Sequence, residues 1–123
     1  MPSKVVDASA LAALAFGEPD AAAVASRLGS DALVAPSLLW YEIAYVCVSK
    51  IRAHPAERER ILDALRMVGH LGVQVAEVEP VAVVQLAAAT GLTAYDAAYL
   101  WLARHLRLPL VTLDRRLAEA WQA

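Results

Sequence analysis

Four short β-prone runs constrain the fold of this chain more than any other feature, and longer helix-prone segments separate them. The runs lie at residues 4–6, 33–35, 73–78 and 110–113. They are mostly apolar and lack the regular polar alternation of a sheet with one wet face, so we predict a parallel sheet in which each strand is buried on both faces. Strands that alternate with helices define an α/β fold class.

Proline and glycine residues mark most of the predicted helix ends, with proline near a helix start and glycine just past its end. The predicted helices cover residues 8–16, 19–29, 36–53, 56–70, 80–90 and 94–106, with a short helix after Asp114. The chain has 123 residues and no linker or internal repeat, so we predict one domain over residues 1–123.

Composition excludes some classes of protein. Hydrophobic residues make up 59% of the chain, yet no run approaches the roughly 18 to 20 apolar residues of a membrane span. We therefore expect no membrane association, and the apolar surplus is expected in a core or a protein interface. The N-terminal residues lack a signal-peptide pattern, and the single cysteine, Cys47, forms no internal disulfide, which together predict a cytoplasmic protein with Cys47 in the core.

The net charge of −2 is not that of a generally basic nucleic-acid binder. Local basic clusters remain available for RNA, although many of these side chains are expected simply to be solvated. The candidates are Lys50, Arg52, Arg58, Arg60, Arg66, Arg104, Arg107, Arg115 and Arg116.

Acidic residues follow the first and the last predicted strand. Asp7 and Asp114 lie at carboxyl ends of strands, where open α/β sheets bind their ligands. Each also precedes a helix and is a good N-cap, so a capping role is the alternative interpretation. Asp96 stands three residues after Thr93, a spacing typical of a capping box.

Glu42 lies inside an apolar helical segment, with no basic residue three or four positions later to pair with it. An unpaired buried carboxylate is costly, so Glu42 either has a functional partner or lies on a narrow exposed stripe.

Carboxylates gathered in one crevice would need a cation, because two of them about 5 Å apart repel by about 3 kcal/mol at an effective dielectric constant near 20. An all-carboxylate ligand set favours Mg²⁺ or Mn²⁺ over zinc. His54, His70 and His105 have no zinc-site spacing and are expected at the surface or at helix ends. Thr112 and Ser9 lie two residues from Asp114 and Asp7, and their hydroxyls could hold a carboxylate or have only local hydrogen-bonding roles.

These residues resemble a known family, the PIN-domain ribonucleases, and most closely the VapC-type toxins of type II toxin-antitoxin pairs. The likeness spans the chain and rests on residues 5–11 (Val-Val-Asp-Ala-Ser-Ala-Leu), Glu42, residues 92–100 (Leu-Thr-Ala-Tyr-Asp-Ala-Ala-Tyr-Leu) and residues 110–114 (Leu-Val-Thr-Leu-Asp).

The resemblance implies a three-layer domain, with a central parallel sheet of four or five strands and about seven helices. It also implies an endoribonuclease that uses Mg²⁺ or Mn²⁺, with Asp7 and Asp96 as direct ligands and Glu42 and Asp114 completing the site. A cognate antitoxin would inhibit it from an apolar groove, and the chain would form a homodimer or a toxin-antitoxin hetero-oligomer. The aromatic residues that fit such surfaces, or equally a core, are Trp40, Tyr41, Tyr45, Trp101 and Trp121.

Two alternative functions remain open from the sequence. A PIN-like fold could be catalytically silent and serve as a binding module for RNA or protein. A different α/β phosphate enzyme is the other alternative, although the chain has no glycine-rich phosphate loop and no second aspartate two residues after Asp7.

Overall fold

The structure, a computed structural model, describes residues 2–123, so Met1, the first residue of the predicted domain, lies outside the described residues. Among these described residues, one or two helices follow each of four strands, seven α-helices in all, with one 3₁₀ turn at Pro55–Glu57. The strands are β1 (Ser3–Val6), β2 (Ala32–Ala35), β3 (Gln74–Val75) and β4 (Leu110–Val111). The helices are α1 (Ala8–Ala15), α2 (Ala21–Leu28), α3 (Leu38–Ala53), α4 (Arg58–Gly69), α5 (Pro80–Thr90), α6 (Ala94–Leu106) and α7 (Arg115–Gln122).

All four strands are parallel, in the order β3-β2-β1-β4. The chain adds β2 beside β1 and β3 beside β2, and it then crosses back so that β4 lies on the other side of β1. The junction of β1 and β4 is therefore the topological switch point, where a crevice opens beyond the strand ends.

Helices cover both faces of the sheet. Val5 and Val6 are consecutive in the central strand β1, so their side chains point to opposite faces, and both are fully buried. Helices α1 to α4 pack against one another, and α5 and α7 both pack on α6, which also contacts β1 and β4. These two helical groups and the sheet confirm the predicted α/β class and its three layers.

The prediction that every strand is buried on both faces is wrong for β3. Gln74 and Val75 are exposed, and the paired strand has only these two residues instead of the run 73–78. β3 is an edge strand and pairs with Val34 and Ala35 at the end of β2, beyond which Pro36 has no N–H to continue a ladder.

The junction between α5 and α6 has the local chemistry that the sequence indicated. Gly91 ends α5 with a φ of +74°, a left-handed conformation that favours glycine, and Thr93 caps α6 by accepting a hydrogen bond from the Asp96 amide at 3.1 Å. As a result both helices have their predicted bounds, and Asp96 is fixed in the first turn of α6.

Within residues 2–123 no single helix has the length and apolarity needed to cross a membrane. In the same range, only α5 and α6 taken together satisfy these two criteria, and they are bent by 109° at their junction.

Candidate active site at the carboxyl edge of the sheet

Asp7 lies just beyond β1 and is almost completely buried. Its Oδ1 accepts hydrogen bonds from the Ser9 hydroxyl at 2.7 Å and from the Ala10 amide at 3.0 Å, and its Oδ2 accepts a hydrogen bond from the Thr112 hydroxyl. The bond from Ala10 makes Asp7 the N-cap of α1, so the capping interpretation is correct. Capping uses one oxygen, and the other faces Thr112.

Asp114 follows β4 and caps α7, since its Oδ1 accepts a hydrogen bond from the Leu117 amide at 2.9 Å. The Thr112 hydroxyl accepts the amide of Asp114 at 2.9 Å while it donates to Asp7. A single buried hydroxyl therefore connects the two aspartates that end neighbouring strands.

Glu42 approaches the same place from α3, where it is half-buried. Its Oε1 accepts a hydrogen bond from the Tyr99 hydroxyl at 2.6 Å. The interpretation of Glu42 as part of a narrow exposed stripe is therefore wrong, because the carboxylate is turned toward a buried side chain of α6.

Tyr99 is a site residue that our sequence interpretation missed. It is 1% exposed and lies three residues after Asp96, so the two side chains lie on one face of α6. That spacing was the available signal, but it does not reveal that Glu42 of another helix is the partner.

These groups surround one small cavity of about 160 Å³. It is lined by Asp7, Ala8, Ser9, Glu42, Asp96, Tyr99 and Asp114. All four sequence-predicted acids thus reach one cavity from different parts of the chain, and Ser9 lines it with them. Thr112 lies behind the cavity and bonds to Asp7.

The pKa values of three carboxylates are raised by burial and, to a lesser extent, by the charges of the neighbouring acids. Burial raises the pKa of Asp7, and the Asp114 charge adds to this increase, whereas hydrogen bonds from Thr112, Ala10 and Ser9 oppose it. Burial also raises the pKa of Asp96, reinforced by the charges of Asp114 and Asp7.

Glu42 and Tyr99 are joined by a hydrogen bond at the wall of the cavity, and each affects the pKa of the other. Burial raises the pKa of Glu42, the Tyr99 hydrogen bond opposes this, and the charges of Asp96 and Asp7 add to the rise. Burial and the adjacent Glu42 carboxylate raise the pKa of Tyr99 well above its ordinary value, so this hydroxyl stays protonated and remains a hydrogen-bond donor.

The donor set fits a hard divalent cation, because it consists of carboxylate oxygens. Among residues 2–123, Glu42, Asp96 and Asp114 each keep at least one oxygen that accepts no hydrogen bond. In the same part of the chain, no group of three or more His, Cys, Asp or Glu side chains is arranged so that it could already hold a metal ion. A cation would therefore have to draw these carboxylates closer together.

The three histidines and the cysteine, which were not predicted as site residues, do not line the acidic cavity. His54, His70 and His105 are exposed, and His105 stacks on Trp101 with ring centroids 4.5 Å apart. Cys47 is buried in the core.

An apolar groove of about 630 Å³ adjoins the acidic cavity and shares Ala8, Ser9 and Glu42 with it. The tyrosines on its rim are unusually exposed for large side chains: Tyr41 at 77%, Tyr45 at 74% and Tyr95 at 64%. Of the aromatic residues considered from sequence, Tyr41 and Tyr45 line this groove, whereas Trp40, Trp101 and Trp121 pack against the core.

The structure is thus a parallel α/β domain whose carboxylates gather at the switch point of the sheet. The family model described as "PIN domain" matches residues 4–121, and the chain belongs to this family. PIN domains are generally nucleases, act on RNA and usually bind divalent metals.

One solved structure similar to this chain is the crystal structure of PAE2754 from Pyrobaculum aerophilum. The two are 28% identical with a TM-score of 0.79, and the match covers 97% of this chain and 84% of that one. No curated protein matches the chain significantly.

Proposed function

We propose that this protein is a Mg²⁺-dependent endoribonuclease that hydrolyses phosphodiester bonds of RNA, with Mn²⁺ as a substitute metal. The proposed catalytic and metal-binding residues are Asp7, Glu42, Asp96 and Asp114. Ser9 and Thr112 are proposed to support them.

The observation that carries this proposal is the convergence of four carboxylates on one cavity at the switch point of the sheet. Helix capping accounts for one oxygen each of Asp7 and Asp114, but it accounts for neither Glu42 nor the position of the Asp96 carboxylate. Burial, reinforced by the charges of neighbouring acids, raises the pKa values of Asp7, Glu42 and Asp96, a cost to folding that a bound cation would relieve.

We assign each of these residues either a metal-binding role or an orienting role. Asp7 and Asp96 would hold the metal directly, with Glu42 and Asp114 completing the site. When bound, such an ion lowers the pKa of a water molecule and stabilises the charge on the leaving oxygen. Thr112 and Ser9 fix the orientation of Asp7, and Tyr99 fixes one oxygen of Glu42.

Cleavage of labelled single-stranded RNA by the purified protein tests this proposal. We expect cleavage in Mg²⁺ or Mn²⁺, none in EDTA, and loss of at least about a hundredfold in Asp96→Asn, because removing one charge-stabilising group typically costs that much. Asp20→Asn is the matched control, since Asp20 is exposed and its side chain makes no capping hydrogen bond.

Two results would contradict the proposal. Tight RNA binding without cleavage would favour a catalytically silent PIN-like module. Phosphate release from small phosphoesters, with RNA left intact, would favour a different phosphate enzyme.

We further propose that the protein is the toxin of a type II toxin-antitoxin pair in the cytoplasm, as a homodimer or a complex with its antitoxin. The resemblance to VapC-type toxins suggests this role. The exposed tyrosine groove beside the acidic cavity supports it, because an inhibitor bound there would lie next to the carboxylates. Growth arrest on expression, relieved by a neighbouring antitoxin gene or by Asp96→Asn, is the expected result.

A further inference from the structure

β4 forms an edge of the sheet, so one side of its backbone has no strand partner. On the inner side, the carbonyls of Pro109 and Val111 accept the amides of Val5 and Asp7 at 2.9 and 3.2 Å. Carbonyls alternate in direction along a strand, so those of Leu110 and Thr112 face outward. The unpaired N–H and C=O groups of an open edge are left to water or to another chain unless a side chain of the protein satisfies them.

Arg27 satisfies both outward carbonyls from the last turn of α2. Its Nη1 donates to the Thr112 carbonyl at 3.2 Å, and its Nη2 donates to the Leu110 carbonyl at 3.4 Å. The planar guanidinium presents two parallel donors, a fork that matches two carbonyls on one strand edge.

The backbone of Arg27 is itself held in place. The Lys4 ammonium donates to the Arg27 carbonyl and forms an ion pair with Asp31 at 3.0 Å. Lys4 belongs to β1, so the central strand anchors the helix end that carries the guanidinium.

The Thr112 backbone that Arg27 holds carries the hydroxyl that joins Asp7 to the Asp114 amide. After Val111 the strand ladder ends, and side chains replace it: the Ser9 hydroxyl accepts the Leu113 amide at 2.9 Å, and Thr112 accepts that of Asp114. Arg27 therefore binds the backbone of the same residue whose hydroxyl bonds to the Asp7 carboxylate and the Asp114 amide.

We propose that Arg27 is a positioning residue, which clamps the open edge of β4 and thereby holds Thr112 and Asp114 in place for the acidic cluster. The consequence for cleavage rests on the proposed ribonuclease function, whereas the consequence for the β4 backbone does not.

Amide hydrogen exchange of the full-length protein, measured by NMR, tests the clamp directly. In Arg27→Met we expect the Leu113 and Asp114 amides to exchange about fivefold faster or more, as loss of a hydrogen bond at this edge permits. The amide of Val34 in β2 and the far-ultraviolet circular dichroism should stay as in the wild type. Arg66→Met is the control, because Arg66 is exposed and pairs only within α4 among the described residues.

Arg27→Lys separates geometry from charge, because a single ammonium lacks the two parallel donors. We expect its Leu113 and Asp114 amides to resemble those of Arg27→Met. Exchange as slow as in the wild type would overturn the clamp in favour of a simple charge effect, and unchanged exchange in Arg27→Met would overturn it outright.

RNA cleavage tests the link to the site. We expect kcat to fall roughly tenfold in Arg27→Met with KM unchanged, as for residues that orient metal ligands, and Asp20→Asn, at an exposed position just before α2, to cleave like the wild type. An active wild type with equal kcat in Arg27→Met would overturn the positioning role. A wild type that cleaves no RNA would instead overturn the proposed function, and the exchange rates would still decide whether the clamp exists.

Discussion

At the scale of single residues, Asp114 combines two roles that substitution can separate. Its Oδ1 caps α7, and its charge adds to the rise that burial causes in the pKa values of Asp7 and Asp96. Asparagine is as good an N-cap as aspartate but carries no charge, whereas alanine provides neither.

We therefore predict that Asp114→Asn is at least as stable as the wild type but cleaves RNA at least about a hundredfold more slowly, the usual scale for losing a charge-stabilising group. Asp114→Ala should lose the same activity and be about 1 kcal/mol less stable than Asp114→Asn, the usual cost of a lost N-cap. Urea unfolding and cleavage assays of both variants check this, and an active Asp114→Asn would remove Asp114 from the site.

The acids also predict a pH dependence for the metal-free protein. Asp7, Glu42 and Asp96 have folded-state pKa values above their ordinary values of 3.8, 4.5 and 3.8. Between the ordinary and the raised values the folded state binds more protons than the unfolded state, so the contribution of these groups to stability increases as the pH falls through the raised values and is lost as the pH rises.

Asp96→Asn lacks part of this dependence, and Asp20→Asn retains it. We predict that, in EDTA, Asp96→Asn gains more stability over the wild type at pH 7, above the raised pKa, than near pH 3.8, the ordinary value for this carboxyl, measured by urea unfolding. A difference that does not vary with pH would mean that Asp96 does not titrate in a shared cluster.

The identities of the acids could be inferred from sequence, but their partners could not. Asp7 and Asp114 are visible as residues that end strands, and Glu42 as a carboxylate without a helical partner. The hydrogen bond from Tyr99 to Glu42 joins residues 57 positions apart, and that from Arg27 to Thr112 joins residues 85 apart. Such contacts depend on how helices pack, which local periodicity does not encode.

At the scale of elements, the accuracy of the prediction followed the local signals. Helices α5 and α6 have their predicted bounds, because Pro80, Gly91 and Thr93 mark them. β4 ends at Val111 instead of residue 113, since the hydroxyls of Ser9 and Thr112 take over the next amides. Strand propensity alone does not reveal this competition from side chains.

Substitution of Thr112 tests whether its hydroxyl organises the backbone at the end of β4. Thr112→Val keeps the shape of the side chain but leaves Asp7 and the Asp114 amide without the hydroxyl. We predict a loss of about 1 to 3 kcal/mol, the typical cost of unsatisfied buried groups, together with slower RNA cleavage.

Thr112→Ser is the matched control, because it retains the hydroxyl, and it should cleave RNA at a rate close to that of the wild type. Equal stability and activity in Thr112→Val and Thr112→Ser would show that the hydroxyl does not organise the strand end.

At the scale of the whole molecule, the acidic cavity and the tyrosine groove lie side by side and share Ser9 and Glu42. Because the groove tyrosines do not line the acidic cavity, we predict that substitutions in the groove separate inhibition from cleavage. Tyr41→Ser should keep its cleavage rate, because Tyr41 is 77% exposed and lines the groove but not the acidic cavity. It should bind the proposed antitoxin at least about tenfold more weakly, since exposed aromatic side chains often dominate binding.

The matched control is Met67→Ser on α4, which is 71% exposed and does not line the groove. Titration of each variant with the partner, read out by residual cleavage, makes the comparison. Inhibition of Tyr41→Ser and Met67→Ser at the same antitoxin concentration would place the partner elsewhere.

In our proposal Asp7, Glu42, Asp96 and Asp114 form one metal site. A crystal structure of the protein grown with Mn²⁺, with anomalous scattering collected at the manganese edge, would locate the ion. We predict an anomalous peak in the acidic cavity, bonded to oxygens of Asp7 and Asp96 and lost in Asp96→Asn. A cavity without a peak at saturating Mn²⁺, or a peak bound by none of these four carboxylates, would contradict a shared metal site.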